Sequence, residues 1–259
     1  MLVADVKDFS GTKSRYHSEI TCEIPRILEN AFARCGHGYL GDAGFGGPSG
    51  GDGYCRVLDP GYLPYLVNPF LQALQDELTE QNNMLPRAYG NLRMRVSLSV
   101  GPVTDSGKEL LGDGNGATRI EAHRILDSEP VRDILDRSSD VTRVAAIVSQ
   151  RVYEDAVLAG YTAEEVEEYV EVTAKVKTFN SHAYLRVPKP SGRLLREGFL
   201  TGKPASAEVG EGEVSRTRSP EVAPRIEFHG RATQQTAIGS NYDGLHIGDS
   251  YSGGPDDDR

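Results

Sequence analysis

The chain has 259 residues, of which 38% are hydrophobic, and a formal net charge of −10. This length holds one large domain or two small ones. The acidic balance argues against nucleic acid as the main partner, because contacting a phosphate backbone requires a basic field. No apolar run approaches the roughly 18 residues of a membrane span, and the start lacks a secretory signal. The 3 cysteines have no metal-ligand spacing, which fits a reducing compartment, and we expect a cytoplasmic protein.

The first half of the chain alternates strand and helix patterns. Residues 2–6 form an apolar run typical of a buried strand. A helical pattern follows, and we expect Pro25 within it to kink the helix or mark its start. Residues 36–53 are rich in glycine and replace a well-formed strand, whereas residues 54–58 indicate a short one. Asn68-Pro69 is typical of a helix N-cap followed by proline in the first turn. The apolar positions of the first helix are Ile20, Ile24, Ile27, Leu28, Ala31 and Phe32.

The second half continues the same alternation. Residues 93–100 alternate as a strand that ends at Gly101-Pro102. Helical patterns cover residues 117–126 and a short segment opened by Pro130. Residues 144–148 form an apolar strand, and Ser149 is placed to cap the helix after it. We expect residues 169–176 and 183–187 to close the sheet as a strand pair around a turn at 179–181. Such mixing of strands and helices predicts an α/β sandwich with helices packed on a sheet.

Composition divides the chain into three parts. Residues 1–187 carry the strand and helix patterns of a folded domain. Residues 188–224 are rich in Gly, Ser, Pro and charge, and such a segment buries too little apolar surface to offset its ordering entropy. We therefore predict a disordered linker there, followed by a low-complexity tail at residues 225–259.

Two aspartates lie where a divalent cation would suit them. Asp5 ends the first strand, and Asp52 lies in the turn Gly50-Gly51-Asp52-Gly53 before another strand. Magnesium is held by one or two carboxylates together with substrate phosphates. Two turn-borne carboxylates on neighbouring strands therefore favour a metal site. For either aspartate alone, ordinary turn chemistry is the commoner explanation.

The surrounding motifs make this pattern more specific. Asp5 and Val6, followed by Phe9-Ser10, resemble the first metal-binding strand of the class III nucleotidyl cyclases, and Gly51-Asp52-Gly53 resembles the second metal site of that family. Three further motifs follow in the family's order within residues 2–187. They are the strand LRMRVSLSVGPV with Arg95, the segment with Asp113, Gly116, Ala122 and Arg124, and Lys177 in VTAKVKTF.

This resemblance implies a ferredoxin-like nucleotidyl-cyclase fold and a homodimer whose site lies between the two subunits. It implies that two ions, Mg²⁺ or Mn²⁺, bind at Asp5, Val6 and Asp52. A nucleoside triphosphate would be converted to a 3′,5′-cyclic monophosphate and pyrophosphate. In the family, the positions of Arg95 and Lys177 contact the phosphates and that of Asp113 selects the base. Arg124 would be catalytic, stabilising charge on the transferring phosphoryl group.

Several positions depart from the family pattern and leave two functions open. Ile120 replaces the asparagine that orients the ribose, and Pro48 replaces a lysine four residues before Asp52. Ser99 replaces a histidine of the arginine strand. The first hypothesis is a divergent cyclase, with ATP or GTP favoured and a pyrimidine nucleotide still open. The second is a catalytically inactive relative that senses a nucleotide or transmits a signal, for example in a conflict or antiphage pathway.

The tail contains a second patterned segment, RIEFHGRATQQTAIGSNYDGLHIG, at residues 225–248. Apolar residues interleaved with Gln and Asn form amide ladders in stacked strands, and the segment resembles short amyloid-like signalling motifs. The resemblance implies a protein partner recruited through this segment. A tail with no specific role is the alternative, because compositional motifs are weakly specific. The proposed core is Gln234, Gln235, Ile238, Gly239, Asn241 and Ile247.

Overall fold

Seven strands of the described chain form one mixed sheet. The computed structural model describes residues 1–84, 91–108 and 110–200. The strands are β1 (Leu2–Val6), β2 (Phe45–Ser49), β3 (Gly53–Val57), β4 (Met94–Leu98), β5 (Val144–Ser149), β6 (Tyr169–Val176) and β7 (Phe179–Arg186). Their order across the sheet is β2-β3-β1-β4-β5-β7-β6. Neighbouring strands are antiparallel except β4 and β5, which are parallel.

Helices connect these strands and cover both faces of the sheet. They are α1 (His17–Arg34), α2 (Leu63–Val67), α3 (Phe70–Met84), α4 (Ala117–Leu126), α5 (Glu129–Arg137), α6 (Gln150–Val152) and α7 (Leu194–Glu197). A π-helical turn, Tyr153–Leu158, continues α6. The side chain of Ser149 accepts a hydrogen bond from the backbone N–H of Val152, which confirms the predicted cap.

The first four strands form a ferredoxin-like core. Helix α1 joins β1 to β2, a tight turn joins β2 to β3, and α2 and α3 lie between β3 and β4. This βαββαβ order, with the four strands arranged as β2-β3-β1-β4 and all antiparallel, is the predicted ferredoxin-like arrangement. The expected mixed α/β sandwich is therefore confirmed.

Strand alternation assigns each residue to one of two helix layers. On β1, Leu2, Ala4 and Val6 pack with α1 and α3, as do Met94, Val96 and Leu98 on β4. The alternate residue Val3 packs on the other face with Ala122 and Leu126 of α4. Successive strand side chains point to opposite faces, so Asp5 and Arg95 belong to the face that α4 and α5 cover. Helices α4 and α5 lie between β4 and β5 in the chain and add this second layer to the ferredoxin-like core.

The structure corrects three local predictions. Pro25 does not mark the start of the helix, because it lies in the middle of α1, which begins eight residues earlier at His17. The glycine-rich region contains the regular strand β2, paired with β3 over five residues. The turn between the last two strands lies at Lys177 and Thr178, and the residues 179–181 predicted as the turn belong to β7.

Strand β2 forms because its glycines permit a close approach to β3. Gly46 has φ +110°, and a Cβ added there would lie 2.3 Å from the carbonyl oxygen of Cys55. Only glycine adopts this positive φ without strain, and only glycine has no Cβ to make this contact. The composition that argued against a strand is therefore what allows β2 to pair so tightly.

The folded unit extends past the predicted boundary at residue 187. Leu194 is buried, and the side chain of Arg137, 2% exposed, donates hydrogen bonds to the carbonyl oxygens of Gly198 and Phe199. The Thr142 hydroxyl donates to the carbonyl oxygen of Lys189 at 2.6 Å. The predicted linker therefore begins too early, because these buried donors and Leu194 hold residues 188–200 on the domain.

The remaining part of the predicted linker and the whole tail, with its proposed core of Gln234 to Ile247, lie outside the described residues. Among the residues that are described, no helix is both long and apolar enough to cross a membrane.

Candidate functional site

The side chains of Asp5 and Arg95 form a two-bond ion pair in the middle of the sheet. The two residues face each other in the β1–β4 register. Arg95 Nε donates to Asp5 Oδ1 at 2.8 Å, and Arg95 Nη2 donates to Asp5 Oδ2 at 2.6 Å. The Arg95 side chain is 14% exposed and the Asp5 side chain is 15% exposed. In this structure the guanidinium predicted to contact phosphate therefore binds the carboxylate predicted to bind metal.

Burial dominates the protonation of Asp5. It raises the pKa of this carboxyl from 3.8 to about 6, although the charge and hydrogen bonds of Arg95 act in the opposite direction. The neighbouring carboxylates of Asp52 and Asp127 raise this pKa further. Asp5 thus lies in a place that disfavours a negative charge unless more positive charge arrives.

We expect the raised pKa of Asp5 to make the free energy of unfolding depend on pH. The folded state holds the Asp5 proton more tightly than the unfolded chain, so the contribution of Asp5 to the free energy of unfolding falls as pH rises from about 4 to about 6. A shift of two pKa units corresponds to about 3 kcal/mol. Urea unfolding with chelator present, at about pH 4 and about pH 8, should show wild type losing this amount relative to Asp5→Asn. Parallel pH profiles for the two proteins would contradict the assignment.

Asp52 lies beside this pair in a loop that is fixed from two sides. Its carbonyl oxygen accepts a hydrogen bond from the backbone N–H of Val6 at 3.1 Å. The Thr21 hydroxyl of α1 donates to the carbonyl oxygen of the preceding residue, Gly51. Within the described chain, the Asp52 carboxylate itself has no hydrogen-bond or ion-pair partner. It is therefore available to a ligand.

These residues border a cleft of about 270 Å³, which we name the Asp52 cleft. It is lined by Val6, Lys7, Asp8, Phe9, Ser10, Asp52, Arg95, Arg132, Leu135 and Asp136. Lys7 pairs with Asp8 and, at 3.0 Å, with Asp136 of α5. Burial lowers the pKa of Lys7, but its hydrogen bonds with the two aspartates outweigh burial and leave this pKa raised. The cleft thus presents carboxylates and cations side by side, as a metal–triphosphate complex requires.

Sequence reasoning missed several of these cleft residues. Lys7 lies two residues after Asp5, between Val6 and Phe9 of the first metal-site motif, so its sequence position alone could have identified it. Arg132 and Asp136 were not, because only the packing of α5 on the sheet brings them to β1.

The donor set fits a divalent cation that brings its own phosphate ligands. Among the described residues, no group of three or more His, Cys, Asp or Glu side chains converges on one point. Two carboxylates are nevertheless the usual protein share for Mg²⁺, with water and phosphate oxygens as the other ligands. The Asp52 carboxylate could bind a cation as it stands. The Asp5 carboxylate could do so only if it shared its oxygens between the cation and Arg95 or gave up its hydrogen bonds with Arg95.

Arg124 lies apart from this cleft. It is half-buried on α4, has no ion-pair partner in the described chain, and is absent from the lining of the Asp52 cleft. Ile120, one turn earlier on the same helix, is 60% exposed. Residues four apart share a helix face, so Arg124 and Ile120 belong to a face of α4 directed away from the core.

The other two predicted nucleotide-binding residues are also separate. Asp113 accepts hydrogen bonds from the Ser106 hydroxyl at 2.6 Å and from the backbone N–H groups of Ser106 and Leu110. These bonds hold its pKa below the usual value, with the Ser106 hydroxyl the largest cause. Lys177 is exposed at φ 54° in the β6–β7 turn. The structure therefore brings together Asp5, Val6, Asp52 and Arg95 within one chain, but not Asp113, Arg124 or Lys177.

Other clefts of the described residues include one that is larger and one that contains Asp113. A cleft of about 660 Å³ is mainly apolar and contains none of the predicted site residues in its lining. Another cleft, of about 320 Å³, lies between β2 and the loop at residues 110–114 and includes Asp113.

Comparison with known proteins gives weak matches. No protein-family model and no curated protein matches the sequence. Among solved structures, the guanylyl cyclase Cya2 is 15% identical with a TM-score of 0.41, over 74% of this chain and 91% of that chain. Adenylate cyclases from Trypanosoma brucei, in their monomeric state, are 13% identical with a TM-score of 0.41, over 71% and 85% of the respective chains. The fold assignment rests on the strand order described above, and likeness at this level carries no argument about activity.

Proposed function

We propose that the chain is a divergent nucleotidyl cyclase that converts a nucleoside triphosphate to a 3′,5′-cyclic monophosphate and pyrophosphate. The observation that carries this proposal is a cleft lined by Asp52 with Lys7, Arg95 and Arg132, whose Arg95 also holds the neighbouring carboxylate of Asp5. Two carboxylates beside several cations suit a metal–triphosphate complex better than a neutral ligand. The order of the sequence motifs supports the same reaction.

Each residue then has a defined task. Asp5, the backbone of Val6 and Asp52 would hold two ions, Mg²⁺ or Mn²⁺, which lower the barrier by activating the ribose 3′-hydroxyl and neutralising the α-phosphate. Arg95, once released from Asp5, and Arg132 would bind phosphate oxygens. Phosphate binding to Arg95 would compete with its pairing with Asp5, so substrate and metal would act on the same two side chains.

A second copy of the chain would complete the site. Arg124 and Ile120 face away from the core of their own subunit, and Arg124 is absent from the lining of the Asp52 cleft of its own subunit. A C2 homodimer places the same surface of each subunit against the other, and Arg124 of one subunit would then reach the Asp52 cleft of its partner. Lys177 and Asp113 would be shared in the same way.

An inactive relative is the second candidate, and two observations favour it. The Arg95 guanidinium already occupies both oxygens of Asp5. Ile120 supplies no polar group where the family has the ribose-orienting asparagine. Losing one such contact typically lowers a rate about 10² to 10³-fold. A protein with these features would bind a nucleotide in the cytoplasm and pass the signal to a partner through residues 225–259, for example in an antiphage pathway.

Product analysis tests the proposal. The purified protein, incubated with each of the four nucleoside triphosphates and Mn²⁺, should release a cyclic monophosphate and pyrophosphate that mass spectrometry identifies. Nucleotide binding without any cyclic product would support the inactive candidate instead. Failure to bind any nucleotide would contradict both.

A further inference from the structure

The turn that carries Asp52 consists of three residues between two paired strand ends. Ser49 ends β2 and Gly53 begins β3, and these two residues face each other in the strand register. Gly50 and Gly51 precede Asp52 in the turn, with φ of +74° and +88°. Glycine loses more conformational freedom on folding than any other residue, so such a turn has little stiffness of its own. Contacts from other elements must therefore fix the direction of the Asp52 side chain.

Both peptide groups that flank the Asp52 α-carbon make such contacts. After Asp52, its own carbonyl oxygen accepts a hydrogen bond from the backbone N–H of Val6 on β1 at 3.1 Å. Before Asp52, the carbonyl oxygen of Gly51 accepts a hydrogen bond from the Thr21 hydroxyl of α1. Because peptide groups are planar and only two backbone dihedrals are soft in each residue, holding both planes fixes the Cα–Cβ bond between them. The Asp52 carboxylate therefore has a set direction before a ligand binds.

The Thr21 hydroxyl lies between two carbonyl oxygens, that of Gly51 and that of His17. His17 is four residues earlier on α1, and its oxygen is 2.8 Å from the hydroxyl. This contact is a common one for threonine within a helix and needs no turn nearby. The bond to Gly51 instead joins residues 30 positions apart in the chain. It links the helix that follows the first metal-site motif to the turn that forms the second.

We propose that Thr21 is a positioning residue, which fixes the Asp52 carboxylate in the direction that metal binding requires. This inference rests on the proposed function, because it names a residue that acts on the metal through Asp52. Thr21 is absent from the lining of the Asp52 cleft, so it contacts neither metal nor nucleotide itself. Replacing a residue that orients a metal ligand typically lowers metal affinity about 10- to 100-fold.

Binding of 3′-deoxynucleoside triphosphates, which cannot cyclise, tests this role by calorimetry on the full chain with Mn²⁺. The analogue of the four bases that wild type binds most tightly is then used for the variants. Thr21→Val keeps the shape of the side chain and removes its hydroxyl, and it should weaken binding of the Mn²⁺ complex about tenfold or more. Thr21→Ser keeps the hydroxyl and should bind nearly as tightly as wild type.

Thr79→Val is the matched control. The Thr79 hydroxyl on α3 donates to the carbonyl oxygen four residues earlier, that of Gln75, at 2.8 Å, and Thr79 does not line the Asp52 cleft. This variant removes the same kind of helix contact and should bind as wild type does. A loss in Thr79→Val equal to that in Thr21→Val would overturn the proposal, as would a loss in Thr21→Val that Thr21→Ser shares.

A double substitution shows whether Thr21 acts through Asp52. In Asp52→Asn the proposed metal ligand is already removed, so adding Thr21→Val should weaken binding little further. Equal losses in the two backgrounds would assign Thr21 to the fold alone. Unchanged binding in Thr21→Val would overturn this inference and leave the proposed function standing. A wild-type protein that binds none of the four analogues would remove the proposed function, and this inference with it.

Discussion

Asp52→Asn and Arg124→Met should each lower the rate of cyclic nucleotide formation at least about 100-fold, the loss typical of removing one preorganised charge-stabilising group. The Asp52 carboxylate has no partner in the described chain, so its replacement should remove the proposed metal ligand without disturbing the fold. Arg124 belongs to a surface of α4 and is equally dispensable for packing. Initial rates with Mn²⁺ and the preferred triphosphate measure the effect.

Matched variants give the baseline for both substitutions. Asp42→Asn changes an exposed acid in the same glycine-rich region, and Arg26→Met changes an exposed arginine on α1. Both should keep the wild-type rate. Thermal unfolding of all four variants should agree within a few degrees, since none of the changed side chains is buried in the core. A wild-type rate in Asp52→Asn would remove Asp52 from the site.

Ending the chain at Val187 should destabilise the domain by about 3–5 kcal/mol, the range expected when a buried ionic group loses its partners. Arg137 would lose the carbonyl oxygens of Gly198 and Phe199, and the buried Leu194 would be removed. Urea unfolding of a chain ending at Val187, against one ending at Leu200, measures the difference in the free energy of unfolding.

The chain ending at Leu200 should unfold with the same free energy as the full chain. Leu195→Ala in the full chain is a second control, because this side chain is 69% exposed. Equal stability of the two shortened chains would show that residues 188–200 add nothing to the domain.

The sequence predicted most of the fold because its signals there are local. The apolar alternation of β4 and the helical spacing of α1 follow from which face each element buries. Strand β2 was not predicted, because its glycines allow a close contact with β3 that no local sequence pattern reveals. The folded state of residues 188–200 was not predicted, because Arg137, which is distant in sequence, donates hydrogen bonds to Gly198 and Phe199.

The motifs identified candidate site residues, but their contacts could not be read from the sequence. Asp5, Asp52 and Arg95 were identified by motif; the structure pairs Asp5 with Arg95 and places Asp52 and Arg95 in the lining of one cleft. Their arrangement depends on the register of β1 with β4, which pairs the Asp5 carboxylate with the arginine expected to bind phosphate. The charges that α5 brings to the Asp52 cleft, Arg132 and Asp136, depend on how this helix packs on the sheet, which no local sequence pattern reveals.

The most direct test of a site shared between two subunits is the activity of a mixture of Asp52→Asn and Arg124→Met. Each variant alone should be nearly inactive. After mixing and subunit exchange, heterodimers carry one intact site and one doubly substituted site, so activity should return to about a quarter of the wild-type value for random C2 pairing. A mixture no more active than its two components would contradict the account.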